Sequence, residues 1–186
     1  MRKIIFGGAN SLDNYIARKD DAVDWLMWND EAAEIMKTYW KRFDAMLMGR
    51  KTYEISLKMH PQPKKSTKKK SDPYADVSTY VFSRTLKPQE HEGVEIVGSN
   101  AMEFVKDLKK QKGKDICLMG GGDLAKTFFE AGLIDEIGFN IHPVLLGSGI
   151  PLFHEMDRQI DLDLIECRPF KNGCVYVSYK IKNQAK

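Results

Sequence analysis

Cysteine and histidine are scarce in this chain: three of one and four of the other among 186 residues. The cysteines, Cys117, Cys167 and Cys174, form an odd set with no C-x-x-C pair, which argues against a disulfide framework and against zinc. His142 and His154 have no partner at catalytic or metal-ligand spacing. Both read as structural, and no metal site is expected. Long apolar runs are missing too. Nothing in the chain could span a bilayer, and MRKIIFGGAN is too short in apolar residues for a signal peptide. A reducing cytoplasm is therefore the expected compartment. Nor does one sign of charge dominate: 29 Lys and Arg against 26 Asp and Glu leave +3, a weak field for attracting nucleic acid. The local exception is His60–Asp76, with three prolines and five lysines between Lys64 and Lys70. No aromatic residue interleaves with those lysines to stack a base, so the run reads as a solvated surface loop.

What remains is the make-up of a globular protein, 42% hydrophobic and 30% charged, of a length that suits one domain over 1–186. Strand-like runs at Lys3–Phe6, Ala45–Met48, Thr79–Phe82, Val94–Val97, Ile116–Met119 and Ile137–Ile141 alternate with helical patterns. One helix follows Asn29 or Asp30, with Ala33, Met36, Tyr39 and Trp40 inward. Another runs to about Leu57, and a third is Ala101–Gln111 with Met102, Val105 and Leu108 inward. Gly7, Gly8 and Ala9–Asp21 read as a loop. Ile160–Arg168 and Cys174–Ile181 flank Asn172-Gly173, a hairpin signal. The alternation implies an α/β fold with a mostly parallel central sheet flanked by helices, ending in an antiparallel hairpin.

The densest stretch is Asp115–Phe139. An apolar run meets Gly120, Gly121 and Gly122, and a helical pattern starts at once, with Asp123 in its first turn and Gly132 where it stops. Such a junction brings backbone N–H groups up to an anion; it also serves as a bare tight turn. Gly120, Gly122 and Ala125 match G-x-G-x-x-G/A, yet no acid follows the next strand to hold a ribose, so an ordinary Rossmann unit is rejected. A second strand–glycine–helix junction stands at Gly49-Arg50-Lys51-Thr52, now with two cations.

Five stretches in order, ANSLDNYIA, DAMLMGRKTYE, YVFSRTL, GGGDLAKTFFEAGLIDE and HPVLLGSGIPLF, resemble the dihydrofolate reductase-like family. They look most like its branch containing the C-terminal reductase domain of the bifunctional riboflavin-biosynthesis deaminase-reductase. The resemblance implies NADPH as cofactor and hydride transfer to a small heterocyclic substrate. It assigns Gly49, Arg50, Lys51 and Thr52 to the pyrophosphate and the 2′-phosphate. Ser83, Arg84 and Thr85 fall to the adenosine-phosphate half, and Gly120, Gly121, Gly122, Asp123 and Leu124 to the pyrophosphate turn. Ala9–Ala17 matches the loop that closes over the nicotinamide, with Ala9, Ile16 and Ala17 at the cofactor and Asp13 bracing the turn. Asn14 stands where glycine is common, so a positive φ is expected there.

Two departures separate the chain from the riboflavin reductases. Gly7 replaces a strand lysine, and Met119 replaces a glutamate, both associated with the ribosylated pyrimidine. A dihydrofolate reductase also needs a carboxylate on its first helix. Asp30 is the candidate here, with Glu31 and Glu34 nearby, although an N-cap followed by first-turn acids explains the same residues. The departures motivate an alternative, a nucleotide-binding module of this fold without turnover. The terminal hairpin resembles those that pair subunits in related proteins, which implies a homodimer.

Overall fold

A computed structural model describes residues 1–59 and 76–182. The run Lys64–Lys70 lies outside the described residues. The elements are β1 (Ile4–Ser11), β2 (Tyr15–Ala17), α1 (Asp30–Trp40), β3 (Phe43–Gly49), α2 (Arg50–Met59), β4 (Ser78–Phe82), β5 (Val94–Val97), α3 (Ala101–Lys110), β6 (Asp115–Gly120), α4 (Gly122–Glu130), β7 (Glu136–His142), β8 (Ile150–Pro151), β9 (Leu162–Pro169) and β10 (Val175–Ile181). Eight strands form one sheet in the order β5-β4-β3-β6-β1-β7-β10-β9, and β2 pairs with β8. The first six of that order run parallel. β10 is antiparallel to both β7 and β9.

Alternation along the strands builds a core on each face. Ile4 and Phe6 of β1, Leu47 of β3 and Leu118 of β6 face Val105 and Leu108 of α3 and Phe128 and Phe129 of α4. Ile5, Met46, Met48 and Cys117, one residue out of step, face Trp40 of α1 and Tyr53 of α2. Burial pushes the Cys117 thiol up to about 12, so it is inert packing rather than a nucleophile.

Local signals set the helix ends. The Asn29 side chain accepts from the Ala32 N–H at 2.8 Å, with Asp30 and Glu31 in the first turn. Gly132 follows α4 at φ +64°, the left-handed position that favours glycine.

Three readings of the sequence are corrected. β1 does not stop at Phe6 but continues through Gly7-Gly8 to Ser11, because β7 pairs with it residue by residue from Ile5 to Ser11. Gly7 marks a crowded strand rather than a turn, since a Cβ on it would meet the Tyr39 hydroxyl, whereas Gly8 has open space around it. The loop after β1 contains a strand, β2. On α1 the buried alanine is Ala32, and Ala33 is exposed. The hairpin expected around Asn172-Gly173 forms, pairing β9 with β10. The Gly173 N–H donates to Phe170 O and the Phe170 N–H to Cys174 O, and only Gly173 takes a positive φ. That is the three-residue arrangement with a glycine bulge.

Candidate active site

The parallel strands deliver the predicted stretches to one edge. In register, Gly49 stands beside Phe82 and Met48 beside Gly120. The junctions after β4, β3 and β6 therefore lie side by side, spanning roughly 10 Å at two strand spacings. This is the carboxyl edge of an α/β sheet, where ligands of such folds bind.

Two helices open onto that edge. α2 begins at Arg50 with no acid in its first turn, and α4 begins at Gly122 behind Gly121, an N-cap with no capping side chain. Their first-turn N–H groups have no intrahelical acceptor, and both dipoles present a positive end. The openings touch. A Cβ on Gly49 would lie 3.7 Å from Gly121 N, and one on Gly121 would lie 3.5 Å from Thr52 Oγ1. The Arg50 guanidinium is 46% exposed and bonds Glu54 at 3.2 Å. Beside it lies a cleft of about 340 Å³ lined by Asp21, Arg50, Lys51, Glu54, Ile55 and Lys58. Ser83 is half-buried and turned to its own backbone, its Oγ accepting from Thr85 N and Leu86 N at 3.2 and 3.1 Å. This fixes the turn that carries Arg84 and Thr85, both exposed.

The loop after β1 is tied down at its base. Asn14 takes φ +62°. Asp13 accepts from Ser11 Oγ at 2.6 Å, Leu146 N at 3.1 Å and Gly147 N at 2.7 Å. These bonds, led by that from Ser11, hold its carboxyl below the usual range. Asp13 thus braces its own turn through Ser11 and also joins it to the loop at Leu146-Gly147. Ala9 sits in β1, while Ile16 and Ala17 lie in β2. Ala17 O approaches Gly149 so closely that a side chain there would overlap it.

The helix α1 offers no buried acid. Asp30 is exposed, Glu31 accepts from Lys171 N at 3.1 Å, and Glu34 pairs with Lys37 at 3.3 Å. The geometry is that of a cap followed by first-turn acids. His142 is 2% exposed. Its Nδ1 accepts from Met27 N at 3.2 Å, and its ring meets Trp25 edge-on, so it anchors the segment before α1. Burial holds it below the ordinary histidine value.

Residues that sequence reasoning left out of the site are Asp21, Glu54, Ile55, Lys58 and His154, the last of them read as structural. The first four line the cleft beside Arg50, and the spacing of Lys51, Glu54, Ile55 and Lys58 on one helical face was the available signal. His154 lies against Gly122 at the opening of α4. No local signal points to it, because β8 pairing with β2 brings it there.

Fold and edge together define an α/β protein of the dihydrofolate reductase-like class. The dihydrofolate reductase of Enterococcus faecalis complexed with NADP(H) shares this fold, with a TM-score of 0.67 at 18% identity, covering 97% of each chain. The model of the RibD C-terminal domain matches residues 2–176, and the chain belongs to that family. It is 34% identical to the uncharacterized protein YyaP of Bacillus subtilis (strain 168), covering 96% of this chain and 94% of that one. A solved structure from Shewanella sp. PV-4, named for riboflavin biosynthesis, superposes with a TM-score of 0.78 at 28% identity, covering 98% and 100%. No helix among the described residues is long and apolar enough to cross a membrane.

Proposed function

We propose that this protein is an NADPH-dependent reductase acting on a small heterocyclic substrate in a reducing cytoplasm. The observation that carries the reading is the alignment of three junctions, Gly49–Thr52, Ser83–Thr85 and Gly120–Leu124, along one edge. An extended dinucleotide with separated phosphates needs such a row, and a single phosphate does not. The residues fit the group. Two helix openings and a glycine turn suit a diphosphate, while Arg50, Lys51 and Arg84 suit a 2′-phosphate. Bound NADPH would supply a hydride to a C=N or C=O carbon. The protein's part is to orient the dinucleotide through Gly49–Thr52 and Gly120–Leu124 and to shield the reacting end with the loop Ala9–Ala17. The exposed Asp30 makes water the better proton source.

Arg50→Ala tests the cofactor reading. It should weaken NADPH by about tenfold or more and NADH much less, as loss of a charge-assisted contact predicts. Equal weakening of both would remove the 2′-phosphate role. A second reading, a nucleotide-binding module without turnover, is favoured by one observation: the Tyr39 hydroxyl fills the place over Gly7 where the riboflavin reductases carry their lysine. NADPH oxidation against pterins, folates and pyrimidine precursors of riboflavin separates the two, with binding but no oxidation supporting the module. We also propose a homodimer paired through β9, whose outer edge carries Leu164 and Ile165 at 60% and 53% exposure. A monomeric mass in solution would end that proposal.

A further inference from the structure

The glycine turn before α4 has two flanks. Thr52 of α2 stands on one, and His154 stands on the other. The imidazole lies over Gly122 so closely that a side chain at position 122 would overlap its Cδ2 and Nε2 atoms. Gly122 is therefore glycine for the sake of this ring as well as for backbone approach. The preceding residue fixes the presentation. Phe153 packs edge-on against Phe6 and Phe139, with centroids 6.0 and 5.8 Å apart. Its contact pins the segment to the core and so holds His154 at the opening of the helix.

The charges around the ring are few. Asp123 Oδ1 is 3.4 Å from Nδ1, and Lys126, also on α4, lines the same corner and pairs with Glu130 at 3.7 Å. Glu155 adjoins it in the chain. Asp123 stands on the Nδ1 side, which leaves Nε2 at the Gly122 end. Neutral, Nε2 accepts a hydrogen bond and has nothing to give an anion. Protonated, it donates alongside the first-turn amides of α4.

We propose that His154, braced by Asp123, is a cofactor contact whose protonated imidazole grips the diphosphate, so that NADP(H) binding takes up a proton from solvent. The inference rests on the cofactor reading above and adds a pH dependence to it. It also gives the nine-residue α4, whose N-cap glycine offers no side chain, a charged partner for its ligand.

Calorimetric titration of NADP+ into wild type and His154→Gln at about pH 6 and about pH 8, on either side of the range where imidazole charge changes, tests this. The ratio of the two Kd values is the readout, because the ligand's own phosphate titration cancels in it. The variant should bind about tenfold more weakly at the lower pH, as loss of a charge-assisted hydrogen bond predicts, and about equally at the higher. Asp123→Asn should narrow the gap. A ratio that does not change with pH overturns the His154 contact and leaves the cofactor site standing. No binding of NADP+ by wild type overturns the cofactor reading itself and the contact with it. If His154→Gln loses its cooperative thermal transition, proton uptake by wild type on binding NAD+, which has the diphosphate and no 2′-phosphate, decides the matter. It is read from two buffers of different ionisation enthalpy; uptake supports the contact and none overturns it.

Discussion

Gly7→Ala tests how tightly α1 is seated over the place where the riboflavin reductases carry a lysine. A Cβ at position 7 would lie 2.5 Å from the Tyr39 hydroxyl oxygen and 2.8 Å from the Gly138 carbonyl oxygen, where ordinary contact begins at 3.4 Å. Neither neighbour yields readily. The Tyr39 ring is wedged against Phe43, Trp40 and Tyr176 at centroid distances of 4.9, 5.9 and 6.4 Å. Gly138 is held in a strand paired on both sides. Overpacking of this kind costs about 1–3 kcal/mol, and two unyielding contacts put this case in the upper half. For a chain of this length, that is a drop of roughly 5–10 °C in Tm. Tyr39→Phe alone behaves differently. Its buried hydroxyl has only the Cys117 thiol, a weak hydrogen-bonding group, as a partner among the described residues, so removal should change stability by less than about 0.5 kcal/mol. The double variant relieves one contact and keeps the other, which predicts a favourable coupling of about 1 kcal/mol. Urea denaturation of the four proteins measures it. A Gly7→Ala variant as stable as wild type, or two effects that add without coupling, would refute this account of the packing.

Acid should destabilise the protein in two separate windows. The unfolded chain protonates His142 near 6.5, while burial keeps the folded ring neutral and accepting from Met27. The unfolded state therefore binds more protons, and stability falls as pH drops below about 6.5. His142→Gln should flatten that limb in melts recorded by circular dichroism. Glu136 contributes lower down. Burial raises its pKa, but hydrogen bonds and charges from Lys3 and Arg42 outweigh it and hold the carboxyl below 4.5. Its stabilisation is complete above that value and is lost as pH falls through the folded pKa, so Glu136→Gln should alter only the second limb. Asp13→Ala removes the acceptor for Leu146 N and Gly147 N. Amide exchange at those two residues should accelerate with little change in Tm, and unchanged exchange would show that Asp13 does not hold the loops together.

The junctions were legible because their signals are local. Glycines, a strand before and a helical period after fix Gly49–Thr52 and Gly120–Leu124 without reference to the rest of the chain. The same holds for Asn14, whose short polar side chain tolerates the left-handed turn it adopts at φ +62°. The misreadings have a common cause in partners distant along the sequence. Gly7-Gly8 reads as a turn from its own residues and is a strand because β7 pairs with it. Asp30 gives no sign in the sequence of whether it is buried, since that depends on where the hairpin turn at Lys171 meets α1. His154 lies 32 positions from Gly122, and only the β2–β8 pairing joins them.

The two ends of the sheet differ in how fully their polar groups are matched. At the amino-terminal ends of the parallel strands, charges are matched: Arg2 with Asp44, Lys3 and Arg42 with the buried Glu136, and Lys109 with Asp135 at 2.6 Å and Leu133 O at 2.8 Å. A buried ion left without its partner there would be costly, so each group constrains the register of its strand. At the carboxyl ends the side chains are left less satisfied. Glycines replace capping groups, Leu12, Met27, Trp28 and Leu145 are exposed, and two helix openings converge with cations beside them. Sites that must admit a ligand carry such unsatisfied groups, and a sequence that locks one edge can leave the other open. In the reading proposed above, that open edge is the one that takes the dinucleotide. The open polar groups of this chain, rather than the lysine and glutamate it lacks, define what it can bind.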